Sequence, residues 1–150
     1  MNADLRDLYQ EVIVDHGRRP RNFGPLPGAS HQAEGFNPLC GDRLTLRLQV
    51  VDGMIAEARF EGAGCAISMA SASLLTEALQ GRSVAEAQAL FAAFHALLTG
   101  PDDVPPAGLG KLAVLAGVRA FPTRIKCATL AWHALQAALQ GRGSGPVNTE

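Results

Sequence analysis

Three cysteines and one aspartate are the residues of this sequence best suited to chemistry. The chain of 150 residues has three cysteines in all, and each lies at a predicted boundary between structural elements. Cys40 and Asp42 occur two positions apart in a short turn, and Cys65 follows a glycine-rich segment. Cys127 comes near the start of the last predicted helix. Three thiolates and one carboxylate provide the four donors that a tetrahedral zinc ion takes, and soft thiolates also suit iron–sulfur clusters.

Cysteines also occur as small hydrophobic residues of a protein core, with no chemical role. This sequence has no pair of cysteines separated by two residues, so spacing alone does not distinguish a metal site from buried cysteines. Glycines beside Cys40 and Cys65, and the expected placement of the donors at one end of the fold, favour a site. Asp42 alone is also compatible with a simple turn or capping residue.

The composition limits the classes of function that this chain can have. Hydrophobic residues make up 47% of the sequence, enough for one domain with its own core. The formal net charge is −1 and no long basic run occurs, so we expect no nucleic-acid partner. The sequence shows neither a secretory signal nor an apolar run near the roughly 18 residues that cross a membrane. An odd number of cysteines fits a disulfide framework poorly and favours the reducing cytoplasm.

Alternating hydrophobic residues predict an antiparallel hairpin in the first half of the chain. A strand is expected over 43–51, and Asp52-Gly53 predicts a tight turn into a second strand. The second strand is expected to bury one face, formed by Met54, Ala56, Ala58 and Phe60. Before the hairpin, the sequence predicts a helix over 4–16 that ends at Gly17, a loop over 18–28 and a polar edge strand within 30–36.

Helical patterns dominate the rest of the chain. Ser83 and Glu86 have the spacing of a capping box at the start of one helix. The predicted helices cover 67–80, 83–99, 109–118 and 123–140, and a flexible tail is expected over 141–150. Because strands and helices are segregated, we predict an α+β fold in a single domain over 1–140, with helices packed on one face of a small antiparallel sheet.

The predicted topology brings the candidate ligands together. The start of the first hairpin strand and the end of the second lie at the same end of the hairpin, which places Cys40, Asp42 and Cys65 near one another. Cys127 requires only that the last helix pack over that end. Helix N-termini favour anions and lower the pKa of nearby thiols, which helps Cys65 and Cys127 to bind metal. The histidines are interpreted as non-ligands: His16, His31, His95 and His133.

Four segments of the sequence resemble the SufU branch of the IscU/NifU-like iron–sulfur assembly proteins. The first is LYQEVIVDH (8–16), followed by PRN (20–22), and the second is NPLCGDR (37–43). The others are FEGAGCAISMASAS (60–73) and FPTRIKCATL (121–130). The resemblance covers roughly residues 5–140, and it implies the IscU/SufU-like fold.

The resemblance implies a function in iron–sulfur cluster assembly. SufU-like proteins bind Zn²⁺ through the residues that match Cys40, Asp42, Cys65 and Cys127. They accept persulfide sulfur at the residue matching Cys40 from a SufS-type pyridoxal-phosphate cysteine desulfurase, which they stimulate, and they serve downstream Suf cluster-assembly proteins. Such a protein is an enzyme only in the sense that it carries a covalent persulfide. Arg124 is a candidate for steering the incoming persulfide, although plain surface charge explains it equally well.

Two alternatives remain open in the sequence. In the first, the chain is a scaffold on which an iron–sulfur cluster or iron is bound and passed on. IscU-type proteins resemble this chain but carry a histidine before the last cysteine, where this chain has Lys126, and they have a shorter segment between the last two cysteines. Both features favour the interpretation of this chain as a sulfur acceptor over its interpretation as a cluster scaffold. The second alternative is a purely structural zinc site.

Overall fold

A computed structural model describes residues 3–38, 41–99, 112, 114, 115, 118, 122–140 and 147–148, with the backbone alone for 3–9, 122 and 147–148. Cys40 lies outside these residues. So do most of the predicted 109–118 helix and eight positions of the predicted tail. The four described residues of that helix segment are all buried, and they are Leu112, Val114, Leu115 and Val118.

The prediction of an α+β fold is confirmed. The elements in chain order are α1 (Ala3–Arg18), β1 (His31–Asn37), β2 (Asp42–Val51), β3 (Met54–Ala63), α2 (Ala66–Leu79), α3 (Val84–Thr99), α4 (Pro122–Leu139) and β4 (Val147–Asn148). Strands β1 to β3 form an antiparallel sheet, and β4 adds to it in the order β3-β2-β1-β4, parallel to β1. Strand β1 is therefore paired on both sides, and two residues of the expected tail form its second neighbour.

The hairpin turns at Asp52-Gly53 as predicted. Both residues have positive φ, 52° and 76°, as a two-residue type I′ turn requires. The prediction that Met54 and Ala56 face the core was wrong. Ile55 is fully buried there and Met54 is 43% exposed, because the register shifts between Gln49 and Val50. The pairs on either side of the shift leave Ala56 as an extra residue, and such a bulge reverses the alternation of faces.

The core lies between one face of the sheet and helices α2 to α4. The two helices that carry the predicted cysteine ligands, α2 and α4, contact each other, and both also contact the sheet. The indole of Trp132 stacks on Phe94 with ring centroids 4.3 Å apart, and both side chains are fully buried. None of the helices in the described part of the chain is long and apolar enough to cross a membrane.

Helix α1 continues two residues further than predicted. Gly17 does not end the helix, which runs to Arg18. A Cβ on Gly17 would lie 3.3 Å from the carbonyl oxygen of Ala66, so this glycine permits the close approach of α1 to the start of α2. The end of α1 is held there by a hydrogen bond of 2.7 Å between Nδ1 of His16 and Oγ of Ser73.

Candidate metal centre

Three of the four predicted donors lie together in the structure. A carboxylate oxygen of Asp42 and the sulfur atoms of Cys65 and Cys127 are all within 4.8 Å of one another. The donors come from the start of β2, the N-terminus of α2 and the first turns of α4. Cys40, the fourth predicted donor, is outside the described residues.

Asp42 has a buried carboxylate that a hydrogen bond from the backbone of Cys65 holds in place. It has no exposed surface, and its Oδ1 accepts a hydrogen bond of 2.8 Å from the backbone N–H of Cys65. Its Oδ2 lies 3.7 Å from the sulfur of Cys65. Gly64 makes this approach possible, since a Cβ at that position would lie 2.8 Å from Oδ1.

Cys65 caps the N-terminus of α2, as the sequence predicted. Its backbone is extended, with φ −68° and ψ 167°, and its sulfur accepts a hydrogen bond of 3.4 Å from the backbone N–H of Ser68. An N-cap position with its side chain accepting from the third residue of the helix favours a negatively charged group.

Cys127 is fully buried at the point where α4 crosses the sheet. The side-chain amide Nδ2 of Asn37 lies 3.9 Å from its sulfur, within the range of a weak N–H···S hydrogen bond. Asn37 is also fully buried, and it pairs with Asp42 across β1 and β2. The sequence analysis missed Asn37 as a site residue, although it begins the segment that contains Cys40 and Asp42.

The chemistry of these three donors fits a metal ion. A buried carboxylate beside two thiols is costly to ionise unless a cation balances the charge. Zinc at its usual bond lengths to sulfur and oxygen places two donors about 3.6 Å apart in tetrahedral geometry. The observed 3.7 Å between Oδ2 of Asp42 and the sulfur of Cys65 agrees with that spacing. The described residues therefore offer three donors that could hold a metal ion.

Arg124, Lys126 and the histidines considered in the sequence are not members of the group formed by Asp42, Cys65 and Cys127. Arg124 is exposed in the first turn of α4, and Lys126 is partly exposed next to Cys127. His133 packs edge-on against Phe91, with ring centroids 5.5 Å apart. Burial lowers the pKa of His133, and His95 nearby lowers it further. Among the described residues, no histidine joins the group of Asp42, Cys65 and Cys127.

Substitution of Gly64 by alanine should weaken metal binding. The new Cβ would lie 2.8 Å from Oδ1 and 3.0 Å from Cγ of Asp42, so the carboxylate has to move. We expect a loss of stability of about 1–3 kcal/mol, typical of overpacking, and a lower zinc affinity by isothermal titration. A Gly64→Ala protein with the zinc affinity of the wild type would contradict the assignment of Asp42.

Comparison with known proteins identifies the family. The model of the NifU-like N terminal domain matches residues 8–128. The zinc-dependent sulfurtransferase SufU of Bacillus subtilis (strain 168) is 41% identical over 144 residues, which cover 96% of this chain and 97% of that protein. The iron–sulfur cluster assembly scaffold protein IscU of Streptococcus pyogenes serotype M1 is 41% identical over 138 residues, 92% of this chain and 86% of that protein.

A solved structure shows the same fold. It is the crystal structure of a candidate iron–sulfur cluster assembly scaffold protein for the SUF system from Fervidobacterium islandicum AW-1, with a TM-score of 0.81 and 31% identity. The match covers 89% of this chain and 98% of that one. The family match includes the segments that carry Asp42, Cys65 and Cys127. The chain therefore belongs to the family of the NifU-like N-terminal domain, together with the SufU and IscU proteins.

Proposed function

We propose that this protein is a zinc-dependent sulfur acceptor in iron–sulfur cluster assembly. It takes persulfide sulfur from a SufS-type pyridoxal-phosphate cysteine desulfurase, stimulates that enzyme, and delivers the sulfur to downstream cluster-assembly proteins. The observation that carries the proposal is the convergence of Asp42, Cys65 and Cys127 within 4.8 Å. The names of two relatives at 41% identity are a zinc-dependent sulfurtransferase and a cluster assembly scaffold, and both agree with this pathway.

Cys40 is the fourth zinc ligand and the sulfur acceptor in this proposal. The described residues on either side of it are joined by a hydrogen bond of 2.9 Å from the backbone N–H of Gly41 to the carbonyl oxygen of Asn37. Two residues span at most about 7.6 Å between Cα atoms, so Cys40 cannot be far from Asp42. Gly41 has a φ of 72°, which reverses the chain directly before the strand. The position of Cys40 in the sequence, two residues before Asp42, thus supports it as a further donor.

The sulfur-transfer step balances without an external oxidant. The thiolate of Cys40 attacks the outer sulfur of the desulfurase persulfide and forms a new S–S bond. The original S–S bond breaks, and its electron pair leaves with the thiolate of the desulfurase cysteine. The transferred sulfur keeps its oxidation level and its proton, so Cys40 ends as a persulfide.

Zinc bound by these residues supplies charge balance and keeps the coordinating thiols deprotonated. The chain's own residues hold the donors: the N–H of Cys65 orients Asp42, and Asn37 approaches the sulfur of Cys127. Cys65 and Cys127 form no disulfide among the described residues. Cysteines that serve as metal ligands must stay reduced, which supports the reducing cytoplasm as the place of action.

The experiment that tests the function combines metal analysis with a desulfurase assay. Purified protein should be colourless and contain about one zinc per chain, as a four-donor site predicts. Adding it to a SufS-type desulfurase with cysteine and a reductant should raise the rate of sulfide release. Zinc binding without any change in that rate would leave a structural zinc site and overturn the proposal.

A cluster scaffold is the second candidate, and the scaffold names of relatives such as the Streptococcus pyogenes protein favour it. Here the cluster is cargo, held by the same cysteines. Lys126 counts against this candidate. It lies beside Cys127 and offers an ammonium group, which cannot ligate iron while charged. A brown protein that passes a cluster to an apo-acceptor would establish this candidate in place of the first.

Arg124 is proposed to steer the incoming persulfide. It is exposed and lies three residues before Cys127, hence on the same face of α4. Arg124→Ala should lower the stimulation of the desulfurase more at low than at high salt, because exposed charges are screened. Arg82→Ala is the control, since Arg82 follows the opposite end of α2 from Cys65. Equal rates for both variants would count against this role.

A further inference from the structure

Ser71 forms a buried polar contact between the helices that carry Cys65 and Cys127. It lies on α2 with no exposed surface, and its hydroxyl donates to the carbonyl oxygen of Ala128 on α4 at 2.5 Å. The same Oγ accepts a hydrogen bond of 3.2 Å from Nε1 of Trp132. One side chain of α2 is thereby bonded to two points on α4.

These two hydrogen bonds fix both the position of α4 along its axis, relative to α2, and its rotation about that axis. Ala128 and Trp132 are four residues apart, so they lie one above the other on the same face of the helix. Ala128 directly follows Cys127, and the bonded carbonyl therefore belongs to the residue next to the ligand. Any slide or rotation of α4 along α2 would break at least one of the two hydrogen bonds.

A third helix supports the Trp132 side of this contact. The indole stacks on Phe94 of α3 at 4.3 Å with an interplanar angle of 13°. Phe91, also on α3, meets the same ring edge-on at 6.2 Å. Because two rings of α3 pack against the indole, they support the orientation in which its N–H donates to Ser71.

We propose that Ser71 is a positioning residue for the metal centre, because it fixes α4 against α2 and thereby the separation of the sulfur atoms of Cys65 and Cys127. The inference rests on the proposed function, since it concerns the metal that this function requires. Ser71 acts through the position of α4, and the expected consequence of its loss is a looser site. Groups that orient metal ligands from outside the site typically contribute 10- to 100-fold to metal affinity.

Ser73 provides a matched control on the same helix. It is also fully buried, but its Oγ bonds to Nδ1 of His16 at 2.7 Å and accepts from the backbone N–H of Arg21 at 2.8 Å. These partners belong to α1 and the segment after it. Ser73→Ala therefore removes a buried hydroxyl from α2 without removing a contact to α4.

The test compares Ser71→Ala with Ser73→Ala in the full chain. Zinc affinity is measured by competition with a chromophoric chelator, and the absorption spectrum of the Co²⁺-substituted protein reports the geometry of the site. Thermal unfolding of the metal-free proteins measures stability separately. We expect Ser71→Ala to bind zinc roughly 10- to 100-fold more weakly and to alter the Co²⁺ bands. Ser73→Ala should keep the wild-type affinity and spectrum while losing stability.

Wild-type affinity and spectrum in Ser71→Ala would overturn the proposal, and so would an equal loss of affinity in both variants. If Ser71→Ala does not fold, Trp132→Phe takes its place, because it removes the donor to Ser71 and keeps a ring on Phe94. Wild-type affinity in that variant would be equally decisive against the proposal. A wild-type protein that binds no zinc would instead overturn the proposed function itself.

Discussion

Cys40→Ala should accept no sulfur from a cysteine desulfurase. An alanine methyl group cannot form the S–S bond by which the sulfane sulfur moves, so the transfer step is lost entirely. The measurement is incubation with desulfurase and ³⁵S-labelled cysteine, followed by a non-reducing gel. We expect the label on the wild-type chain to fall to background in the variant, and the stimulated rate of sulfide release to fall with it.

Cys127→Ser separates loss of the nucleophile from loss of the metal. This variant removes a buried donor of the site but retains Cys40, so it should keep detectable label even with impaired zinc binding. Circular dichroism of the two metal-free variants checks that both are folded. Label on Cys40→Ala at the wild-type level would refute the assignment of Cys40 as the acceptor.

Asp42→Asn should nearly abolish stabilisation by zinc and leave the metal-free protein at least as stable as the wild type. The amide oxygen can still accept from the N–H of Cys65, but the buried negative charge is gone. Removing an unbalanced buried charge costs no stability in the metal-free state. In the wild type, zinc at 100 times its dissociation constant should add about 2.7 kcal/mol to the free energy of unfolding.

Thermal unfolding with zinc and with a chelator measures both effects. Glu57→Gln is the matched control, because it makes the same chemical change on the surface, where Glu57 pairs with Arg59 at 2.8 Å. That variant should keep the zinc-dependent rise in melting temperature. An Asp42→Asn protein with the full wild-type rise would show that Asp42 is not a ligand.

The hairpin and the capping box were predictable from the sequence because their signals are local. Asp52-Gly53 has positive φ at both residues, which the sequence of the turn alone required. The capping box forms as predicted, with Glu86 N–H donating to Ser83 Oγ at 3.0 Å and Ser83 N–H to Glu86 Oε1 at 3.0 Å. Antiparallel pairing then places Asp42 and Cys65 at one end of the sheet, without further information.

Other features depend on contacts between distant segments. The bulge that turns Ile55 towards the core results from the register between β2 and β3. The alternation of hydrophobic residues within one strand does not specify that register. Helix α1 continues beyond Gly17 to Arg18, and at Gly17 the helix packs closely against Ala66 of α2. The pairing of Val147–Asn148 with β1 likewise depends on an edge that only the assembled sheet presents.

The sequence by itself identified the candidate metal ligands and determined that Asp42 and Cys65 adjoin, because turns and strand pairing act over short stretches of chain. Only the tertiary structure brings Cys127 within 4.8 Å of Asp42 and Cys65, since its position depends on how α4 packs against the sheet and α2. It also decided that Asn37 approaches the Cys127 sulfur and that Ser71 bonds α2 to α4. Hydrogen bonds between buried side chains of different elements follow from packing, which hydrophobic periodicity does not encode.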